Sequence, residues 1–223
     1  MRKKIFILLS RVPFPLDKGD KLRAFYQIRE LSQLHNIYLC ALSDSPVHPE
    51  AEKNLHPFVK EIRVFSFSKL QAALRLLMNL FSDKPFQVAY FFSRKTKNKI
   101  ESYIAEVKPD HVYCQLIRMA EYIRSLDIDK TLDYQDAFSA GLLRRYKYAP
   151  WYLKPMLYME YQRVRKYEET MAVLFRKKTI ISIPDRNLFT YQGREEIQIV
   201  ANGVDDEYFK KQTDAKIFDV VFC

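Results

Sequence analysis

Short apolar runs that resemble buried strands alternate along this chain with stretches of helical periodicity. Strand-like runs occupy residues 5–9, 36–42, 60–67, 111–114, 128–132, 179–183, 197–200 and 217–222. Helical patterns occupy residues 20–35, 69–80, 94–107 and 151–176. Strands that alternate with helices are typical of parallel βαβ units. The sequence therefore predicts an α/β fold with a Rossmann-like, doubly wound and mostly parallel sheet.

The last residues of the chain suggest a domain boundary. The chain has 223 residues, enough to bury a substantial core. A turn at Asn202-Gly203 is followed by a short polar stretch and then by the apolar run 217–222. We predict one domain over residues 1–210, with a linker and the first strand of a second domain over residues 211–223. The alternative is a terminal strand that docks on the same sheet.

The charge of the chain favours anionic partners. Its formal net charge is +10, with a pI of about 9.4, which suits nucleotides, anionic lipid or nucleic acid. The positive charge is spread along the sequence, and no RRM, KH or helix-turn-helix pattern is recognisable. A nucleic-acid-binding module is therefore the weaker interpretation.

The cysteines and the apolar runs indicate a cytoplasmic protein. Cys40, Cys114 and Cys223 are too widely spaced for a disulfide framework or a zinc site, and the four histidines lack metal-ligand spacing. We expect no metal. The first apolar run is too short for a signal peptide, and no run approaches the length of a membrane span.

The segment that follows the first strand has the features of a ligand-binding corner. A proline-stiffened loop over residues 11–18 leads through Gly19 into a helix whose first turns contain three cations and a carboxylate: Lys18, Asp20, Lys21 and Arg23. Ligands of open α/β sheets bind at such strand ends, and the N–H groups that open a helix suit phosphate. Gly19 allows close backbone approach. The alternative is an ordinary loop with solvated charges.

Four segments in a fixed order give the chain a resemblance to a known family. They are residues 11–15 with 17–23, residues 132–139, residues 182–186, and the N-G-V-D segment 202–205 with Tyr208-Phe209. Together they resemble retaining family 4 glycosyltransferases of the GT-B fold, of the type associated with exopolysaccharide biosynthesis. The resemblance covers nearly the whole chain but only the N-terminal half of that fold.

The resemblance implies an enzyme activity for the full-length protein. The chain is expected to be the acceptor-binding domain of a glycosyltransferase of the hexosyltransferase type. Such an enzyme transfers sugar from a nucleotide sugar to a cell-surface polysaccharide or lipid-linked acceptor, with the nucleotide sugar as co-substrate and no metal. The donor is held mainly by the second domain, so the isolated chain is expected to be inactive. The alternative function is a non-catalytic Rossmann-like module that binds an anionic ligand or nucleic acid.

The resemblance also assigns roles to particular residues. The backbone at Gly19 would face the donor diphosphate, and Asn202 and Gly203 would contribute to substrate binding. Asp133 and Asp136 follow a strand, where a carboxylate can accept a hydrogen bond from a sugar hydroxyl, and they are the candidate catalytic residues. Family members often have a histidine near this position. The alternative is that Asp136 or Ser139 caps a helix.

Two further strand ends supply candidate substrate-binding residues. Gln115 and Arg118 follow the short strand 111–114, and the planar guanidinium of Arg118 suits phosphate or carboxylate. Asp185 follows the strand 179–183, next to Ser182 and Arg186. The alternatives are a helix-surface arginine for Arg118 and helix capping for the residues near Asp185.

One carboxylate interrupts an apolar stripe on the long helix. The stripe steps by three and four residues through Leu157, Tyr161, Val164, Glu168, Met171 and Phe175. A buried carboxylate needs a partner or a cleft. Arg186 or Arg118 is a candidate partner for Glu168, and partial exposure at the helix edge is the alternative.

Two stretches mix aromatic residues with cations. They occupy residues 70–94 and 144–154. Such a composition suits a surface that rests on anionic lipid, at the inner face of the membrane. Core aromatics among solvated lysines and arginines are the alternative.

Overall fold

The computed structural model describes residues 2–203, and these form one parallel sheet flanked by helices. The predicted linker and strand at 211–223 lie outside the described residues. The strands are β1 (Lys4–Leu9), β2 (Asn36–Ser43), β3 (Glu61–Ser66), β4 (His111–Gln115), β5 (Lys130–Asp133), β6 (Lys177–Ile180) and β7 (Gln198–Ile199). Their order across the sheet is β3-β2-β1-β4-β5-β6-β7, and every neighbouring pair is parallel. The predicted fold class is confirmed.

Nine helices connect the strands in the described part of the chain. They are α1 (Gly19–Leu34), α2 (Ala51–Leu55), α3 (Lys69–Met78), α4 (Phe86–Phe91), α5 (Arg94–Val107), α6 (Ile117–Ala120), α7 (Phe138–Tyr148), α8 (Lys154–Leu174) and α9 (Ile183–Asn187). Short 3₁₀ turns lie at His56–Phe58, Asn79–Phe81 and Arg194–Glu196.

The alternating side chains of the central strand divide the core into two layers. Phe6 and Leu8 of β1 face one side, and Ile5, Ile7 and Leu9 face the other. Helices α4, α5, α6 and α8 cover the first face, and α1 and α2 cover the second. Burial on both faces explains why β1 is apolar at nearly every position.

The strand order places a topological switch point between β1 and β4. From β1 the chain builds outward through β2 and β3, and it then returns to the other side of β1 to add β4 through β7. Connections that leave two neighbouring strands in opposite directions open a crevice at the carboxyl ends of those strands. The loops after β1 and β4 are therefore the expected walls of a binding site.

The sequence patterns predict all seven strands in the described part of the chain and four of its nine helices. Helices α1, α3, α5 and α8 lie within the predicted stretches, give or take a residue, and the sequence patterns miss α2, α4, α6, α7 and α9. Strand β6 begins two residues before its predicted start. Lys177 and Lys178 interrupt the apolar pattern by which a buried strand is recognised in a sequence. The ammonium of Lys178 leaves the buried strand to reach the Ala172 carbonyl at 3.0 Å and Glu196 at 3.2 Å.

Candidate functional site

The backbone is unusual where β4 and β5 end at the switch-point edge. Leu116, directly after β4, has φ 69°, and Gln135, shortly after β5, has φ 60°. Residues other than glycine rarely adopt a positive φ, and such positions cluster at functional sites. The Phe14–Pro15 peptide bond in the loop after β1 is cis.

The first turn of α1 opens onto free space at the same edge. Helix α1 begins at Gly19, and the side chain of the preceding Lys18 does not cap it. A Cβ built on Gly19 would meet no atom within 4 Å. Within this turn the Lys21 N–H donates to the Asp20 carboxylate at 3.1 Å, which leaves at most the N–H groups of Gly19 and Asp20 for an anion. The predicted role of Gly19 opposite a diphosphate stays a prediction, and the geometry leaves room for it.

A small charged cluster joins the loop after β1, the start of α1 and the loop after β4. The carboxylate of Asp20 lies 3.1 Å from Arg11 and 3.7 Å from Arg118. The side-chain amide of Gln115 donates to the Asp20 carbonyl at 3.0 Å. The predicted residues Asp20, Gln115 and Arg118 are therefore brought together, with Gln115 tethering the helix rather than pointing at a ligand.

Arg118 is held in place by aromatic rings, and one of its hydrogen-bond donors is unused. Its guanidinium lies 5.1 Å from the Phe91 ring centroid and 5.9 Å from that of Phe138. Burial, together with the charge of Arg11, lowers the pKa of Arg118 to about 10. Its Nε has no hydrogen-bond partner among the described residues. A desolvated cation with a spare donor is suited to an incoming anion.

The two lysines of the corner differ in their partners. Lys21 pairs with Asp17 at 2.8 Å, one helical turn before it, while Lys18 is exposed. Both line a cavity of about 380 Å³ between the loop after β1 and residues 42–49. Arg11 also lines this cavity.

Asp133 is the centre of a buried network at the end of β5. Its side chain is 0% exposed. Its two oxygens accept hydrogen bonds from Arg23 at 2.8 and 3.2 Å, from Tyr113 at 2.7 Å and from Thr179 at 2.9 Å. The carboxylate is therefore saturated and has no open side. The catalytic role predicted for Asp133 remains a prediction, and this geometry favours a positioning role instead.

Arg23 is likewise turned inward, under the corner rather than beside the open space. Burial would lower its pKa, but the hydrogen bonds and charge of Asp133 outweigh burial and raise it. Its remaining nitrogen donates to Asn202 Oδ1 at 2.7 Å, which ties the chain after β7 to α1. The phosphate-binding role predicted for Arg23, and the binding roles predicted for Asn202 and Gly203, stay predictions. The sequence reasoning missed this network.

Asp136 has the freedom that Asp133 lacks. The residue as a whole is exposed, but partial burial of its carboxyl, together with the charges of Asp185 and Asp133, raises its pKa. Helix α7 begins after Ala137 without a side-chain cap, so the capping alternative for Asp136 or Ser139 is wrong. The carboxylate of Asp136 therefore remains available at the sheet edge, and its catalytic role stays a prediction.

Asp136 and Asp185 line a cavity of about 590 Å³ together with a carboxylate that the sequence reasoning did not single out. Glu160 of α8 is only 7% exposed. One of its oxygens accepts from the Phe86 N–H at 2.7 Å, and the other has no partner among the described residues. Burial raises the pKa of Glu160 to about 7. In the sequence, Glu160 is marked only by its position, because it follows a long segment that contains no aspartate or glutamate.

The walls of this cavity combine aromatic and cationic side chains. Phe86, Phe138 and Leu142 provide apolar surface, and Arg144 and Arg145 lie at its border. Apolar rings with a few polar groups are typical of sites for small ligands. The arrangement can accept hydrogen bonds from hydroxyl groups and can bind an anionic substituent.

Near Asp185 the local hydrogen bonds are those of a helix start. Ser182 accepts from the Asp185 N–H at 3.2 Å and also hydrogen-bonds the Asp185 carboxylate. The capping alternative is therefore confirmed for Ser182. Asp185 still borders the large cavity, so its binding role stays a prediction.

The partner predicted for Glu168 is wrong. Glu168 is buried, as the helical stripe predicts, but it accepts from the Ser139 N–H at 3.1 Å instead of pairing with an arginine. The free N–H groups at the start of α7 supply the donors that a buried carboxylate requires. Burial nevertheless raises the pKa of Glu168 to about 7.

We compared the chain with known proteins. No protein-family model matches the chain, and no curated protein matches it. Among solved structures, sucrose-phosphate synthase from Thermosynechococcus elongatus matches with a TM-score of 0.60 at 10% identity over 92% of this chain and 49% of that one. A Phytolacca americana UGT2 complexed with UDP-2-fluoroglucose and pterostilbene matches with a TM-score of 0.55 at 12% identity over 92% of this chain and 56% of that one.

A third structure, a UDP-glucosyltransferase from Polygonum tinctorium capable of glucosylating indoxyl, matches with a TM-score of 0.53 at 11% identity over 92% of this chain and 53% of that one. The fold is that of one half of a GT-B glycosyltransferase. The chain spans about half the length of these structures. At such low identity the likeness shows the fold alone. None of the helices in the described part of the chain combines the length and apolar composition that a membrane-spanning segment requires.

Proposed function

We propose that this chain is the acceptor-side domain of a glycosyltransferase. The enzyme would transfer a sugar from a nucleotide-sugar donor to a cell-surface polysaccharide or a lipid-linked acceptor. One observation carries the proposal: the switch point of a sheet with this fold opens on the first turn of α1, where Lys18 provides no side-chain cap and free space lies beside Gly19. Folds host many functions, so the proposal rests on that site and not on the fold alone.

We assign the donor to the loop and helix start around Gly19, and the acceptor to the large cavity that Asp136 lines. The donor diphosphate would lie at Gly19, where the α1 N–H groups, Lys18 and the spare donor of Arg118 provide positive potential. The acceptor would occupy the cavity of about 590 Å³, with a hydroxyl group donating to Asp136 and with Glu160 in the cavity wall. Arg118 of the corner lies 5.9 Å from the ring centroid of Phe138, which lines this cavity.

The chemistry that we propose is a retaining transfer without a metal ion. The bond between the sugar C1 and the diphosphate oxygen breaks, and a bond forms from C1 to the acceptor oxygen on the same face. The acceptor proton passes to the departing diphosphate, so the products are a glycoside and a nucleoside diphosphate. The domain contributes orientation of the acceptor and positive potential at the leaving group. A second domain would hold most of the donor nucleotide.

We place the enzyme in the cytoplasm, peripherally at the inner face of the membrane. Activated sugars and the lipid-linked acceptors of cell-surface polymers meet at such a surface. The aromatic and cationic stretches around α3 and α7 support this placement.

Gly19→Val in the full-length protein tests the proposal directly. The isopropyl group would fill the free space beside the α1 N–H groups and exclude a diphosphate, so transfer should fall by at least about a hundredfold, as when an electrostatic donor is lost. Because a Cβ at Gly19 meets no atom, Gly19→Ala is the matched control and should retain most of the activity.

Nucleoside diphosphate release from a panel of nucleotide sugars is the measurement, with thermal unfolding as the check on folding. Turnover in the natural protein that Gly19→Val leaves unchanged would remove the corner from the mechanism. Absence of any turnover by the folded full-length protein with all donors and lipid or glycan acceptors would overturn the glycosyltransferase assignment.

A further inference from the structure

Helix α3 carries an apolar stripe on its outer surface. The stripe continues into the following 3₁₀ turn through positions spaced by three and four residues, namely Leu70, Leu74, Leu77, Met78 and Phe81. All five are exposed, and Phe81 is 98% exposed. An amphipathic helix in a soluble protein normally turns such a stripe toward the core. Here the described part of the chain leaves it uncovered.

The orientation of α3 is set by contacts on its other side. Ala72 is fully buried there, and Arg75 donates to the Tyr90 carbonyl at 2.8 Å while lying 5.6 Å from the Phe67 ring centroid. Helix α3 therefore docks on α4 through a small residue and a hydrogen-bonded arginine. The apolar stripe is free because other contacts hold the helix.

A second exposed apolar group lies between α7 and α8. Tyr148, Trp151, Tyr152, Met156 and Tyr158 all expose a large part of their side chains, and Trp151 is 82% exposed. Tryptophan and tyrosine are the residues preferred at the boundary between lipid and water, because each joins an apolar ring to a polar tip.

Contacts between α8 and the turn after α3 join the two groups. Arg163 of α8 donates to the Leu80 carbonyl at 2.8 Å, and Glu160 accepts from the Phe86 N–H at 2.7 Å. Met156 lies on the same face of α8 as Glu160 and Arg163, since the spacings are four and seven residues. The segment from Lys154 to Arg163 spans only about 14 Å of helix. The two exposed groups are therefore joined through the turn after α3, and we name them together the α3–α8 surface.

The charge around the α3–α8 surface is predominantly positive. Residues 68–83 and 137–160 contain two acidic residues, Asp83 and the buried Glu160, against five cations besides the inward-turned Arg75, namely Lys69, Arg144, Arg145, Lys147 and Lys154. Cations that border exposed apolar side chains match the layered chemistry of an anionic bilayer, with phosphates outside and acyl chains beneath. Two copies of this surface placed face to face would instead repel each other.

We propose that the α3–α8 surface binds an anionic phospholipid bilayer, with the α3 stripe and the aromatic side chains inserted below the phosphates. The proposal deepens the proposed function, because it would hold the acceptor cavity, which Arg144, Arg145 and Glu160 line, next to a lipid-linked acceptor. Membrane binding itself needs neither donor nor acceptor, so it is measurable apart from transfer.

Sedimentation with vesicles is the experiment, using the full-length protein without nucleotide sugar. The protein should sediment with vesicles that contain phosphatidylglycerol and should remain in solution with pure phosphatidylcholine vesicles. Added salt should weaken the binding because it screens the cationic border. Tryptophan emission should shift to the blue on binding, since Trp151 is 82% exposed to water before it enters the bilayer.

Matched variants separate this surface from the rest of the molecule. Leu77→Ser, at a leucine that is 61% exposed, should weaken vesicle binding by about tenfold, in line with the loss of one inserted leucine. Leu34→Ser is the control, because Leu34 is 68% exposed on α1, on the opposite face of the sheet. Lys147→Glu should weaken binding by at least about fivefold. Lys53→Glu, on α2, should leave it unchanged.

Several outcomes would overturn the proposal. They are absence of binding to phosphatidylglycerol vesicles, equal losses in Leu77→Ser and Leu34→Ser, or binding that depends on charge but not on Leu77 and Phe81. A dimer in solution that Leu77→Ser converts to a monomer would assign the surface to a second copy of the chain. A Gly19→Val protein that is inactive but still binds vesicles would show that the two proposals are independent.

Discussion

At the scale of single residues, the pair of Arg23 and Asp133 shows how burial separates a structural carboxylate from a free one. Asp133 and Asp136 lie three positions apart and look equivalent in the sequence. The first is saturated by Arg23, Tyr113 and Thr179, while the second borders a cavity. Only the free carboxylate can exchange its partners for a substrate.

Asp133→Asn should destabilise the protein by about 3–5 kcal/mol, because it leaves the buried guanidinium of Arg23 without a counter-charge. Equilibrium urea unfolding measures the loss. Asp129→Asn is the control: this exposed carboxylate pairs with Lys177 and His111, and its loss should cost less than about 1 kcal/mol. Equal effects of the two substitutions would contradict a structural role for the buried network.

Glu168 makes stability depend on pH in a defined direction. Burial raises its pKa from 4.5 to about 7, so the unfolded chain releases its proton first as the pH rises. The stability associated with this group is complete below about pH 4.5 and falls by about 3 kcal/mol as the pH rises through 7. Glu160 acts in the same direction, since its pKa is also raised to about 7.

Glu168→Gln should therefore flatten the fall in stability between pH 5 and pH 8, because the amide oxygen can still accept from Ser139 without becoming charged. Urea unfolding at a series of pH values measures the slope. The neighbouring Glu169 is exposed, and Glu169→Gln should leave the slope unchanged. A Glu168→Gln profile parallel to that of the natural protein would mean that Glu168 does not titrate in this range.

At the scale of elements, the short helices depend on local hydrogen bonds more than on composition. Helix α9 has only five residues, and its start is secured by Ser182, which accepts from the Asp185 N–H at 3.2 Å. The start of α7 instead uses the carboxylate of Glu168 from α8. A donor supplied by one helix and an acceptor supplied by another cannot be recognised from the local sequence.

Ser182→Ala should cost about 1 kcal/mol through loss of the cap. Thermal or urea unfolding provides the comparison. Ser102→Ala is the control, because Ser102 lies inside α5, where its hydroxyl donates to the Asn98 carbonyl and alanine is the better helix former. A larger loss in Ser102→Ala than in Ser182→Ala would contradict the capping argument.

At the scale of the whole molecule, the sheet is supported from both faces, and its centre is the least tolerant region. Leu8 of β1 is fully buried. Leu8→Ala should therefore cost about 2–5 kcal/mol in the free energy of unfolding. Ile199 of the edge strand β7 is partly exposed, and Ile199→Ala should cost far less. Urea denaturation compares them, and a similar loss at both positions would mean that the edge strand contributes as much as the centre.

The sequence predicted the layers of the fold well because the strands and long helices bury continuous or periodic apolar faces. The strand at Lys177–Ile180 shows where prediction from apolar patterns fails. Two lysines begin it: Lys177 is exposed to water, and the buried Lys178 is accommodated because its ammonium reaches the Ala172 carbonyl outside the sheet. On α3 the pattern left a lipid-facing surface and a core face as alternatives, and the structure shows that the apolar stripe faces outward.

The sequence predicted which edge of the sheet holds the candidate site, but it did not predict the role of each residue there. Position after a strand was enough to bring Gly19, Gln115, Arg118 and Asp136 to one edge, because parallel strands end together. It could not show that Arg23 turns inward or that Glu160 reaches the cavity from α8. Those facts depend on side-chain directions from distant elements.

The sequence by itself determined the alternation of strands and helices, and with it the parallel sheet, because burial of apolar surface acts on each segment through its own periodicity. The tertiary structure decided which charges are saturated and which are free. That outcome depends on partners more than a hundred residues apart, such as Arg23 and Asp133, and on the desolvation that their meeting requires. It also decided that the α3 stripe lies outside the core, since the contacts of Ala72 and Arg75 set the direction of that helix.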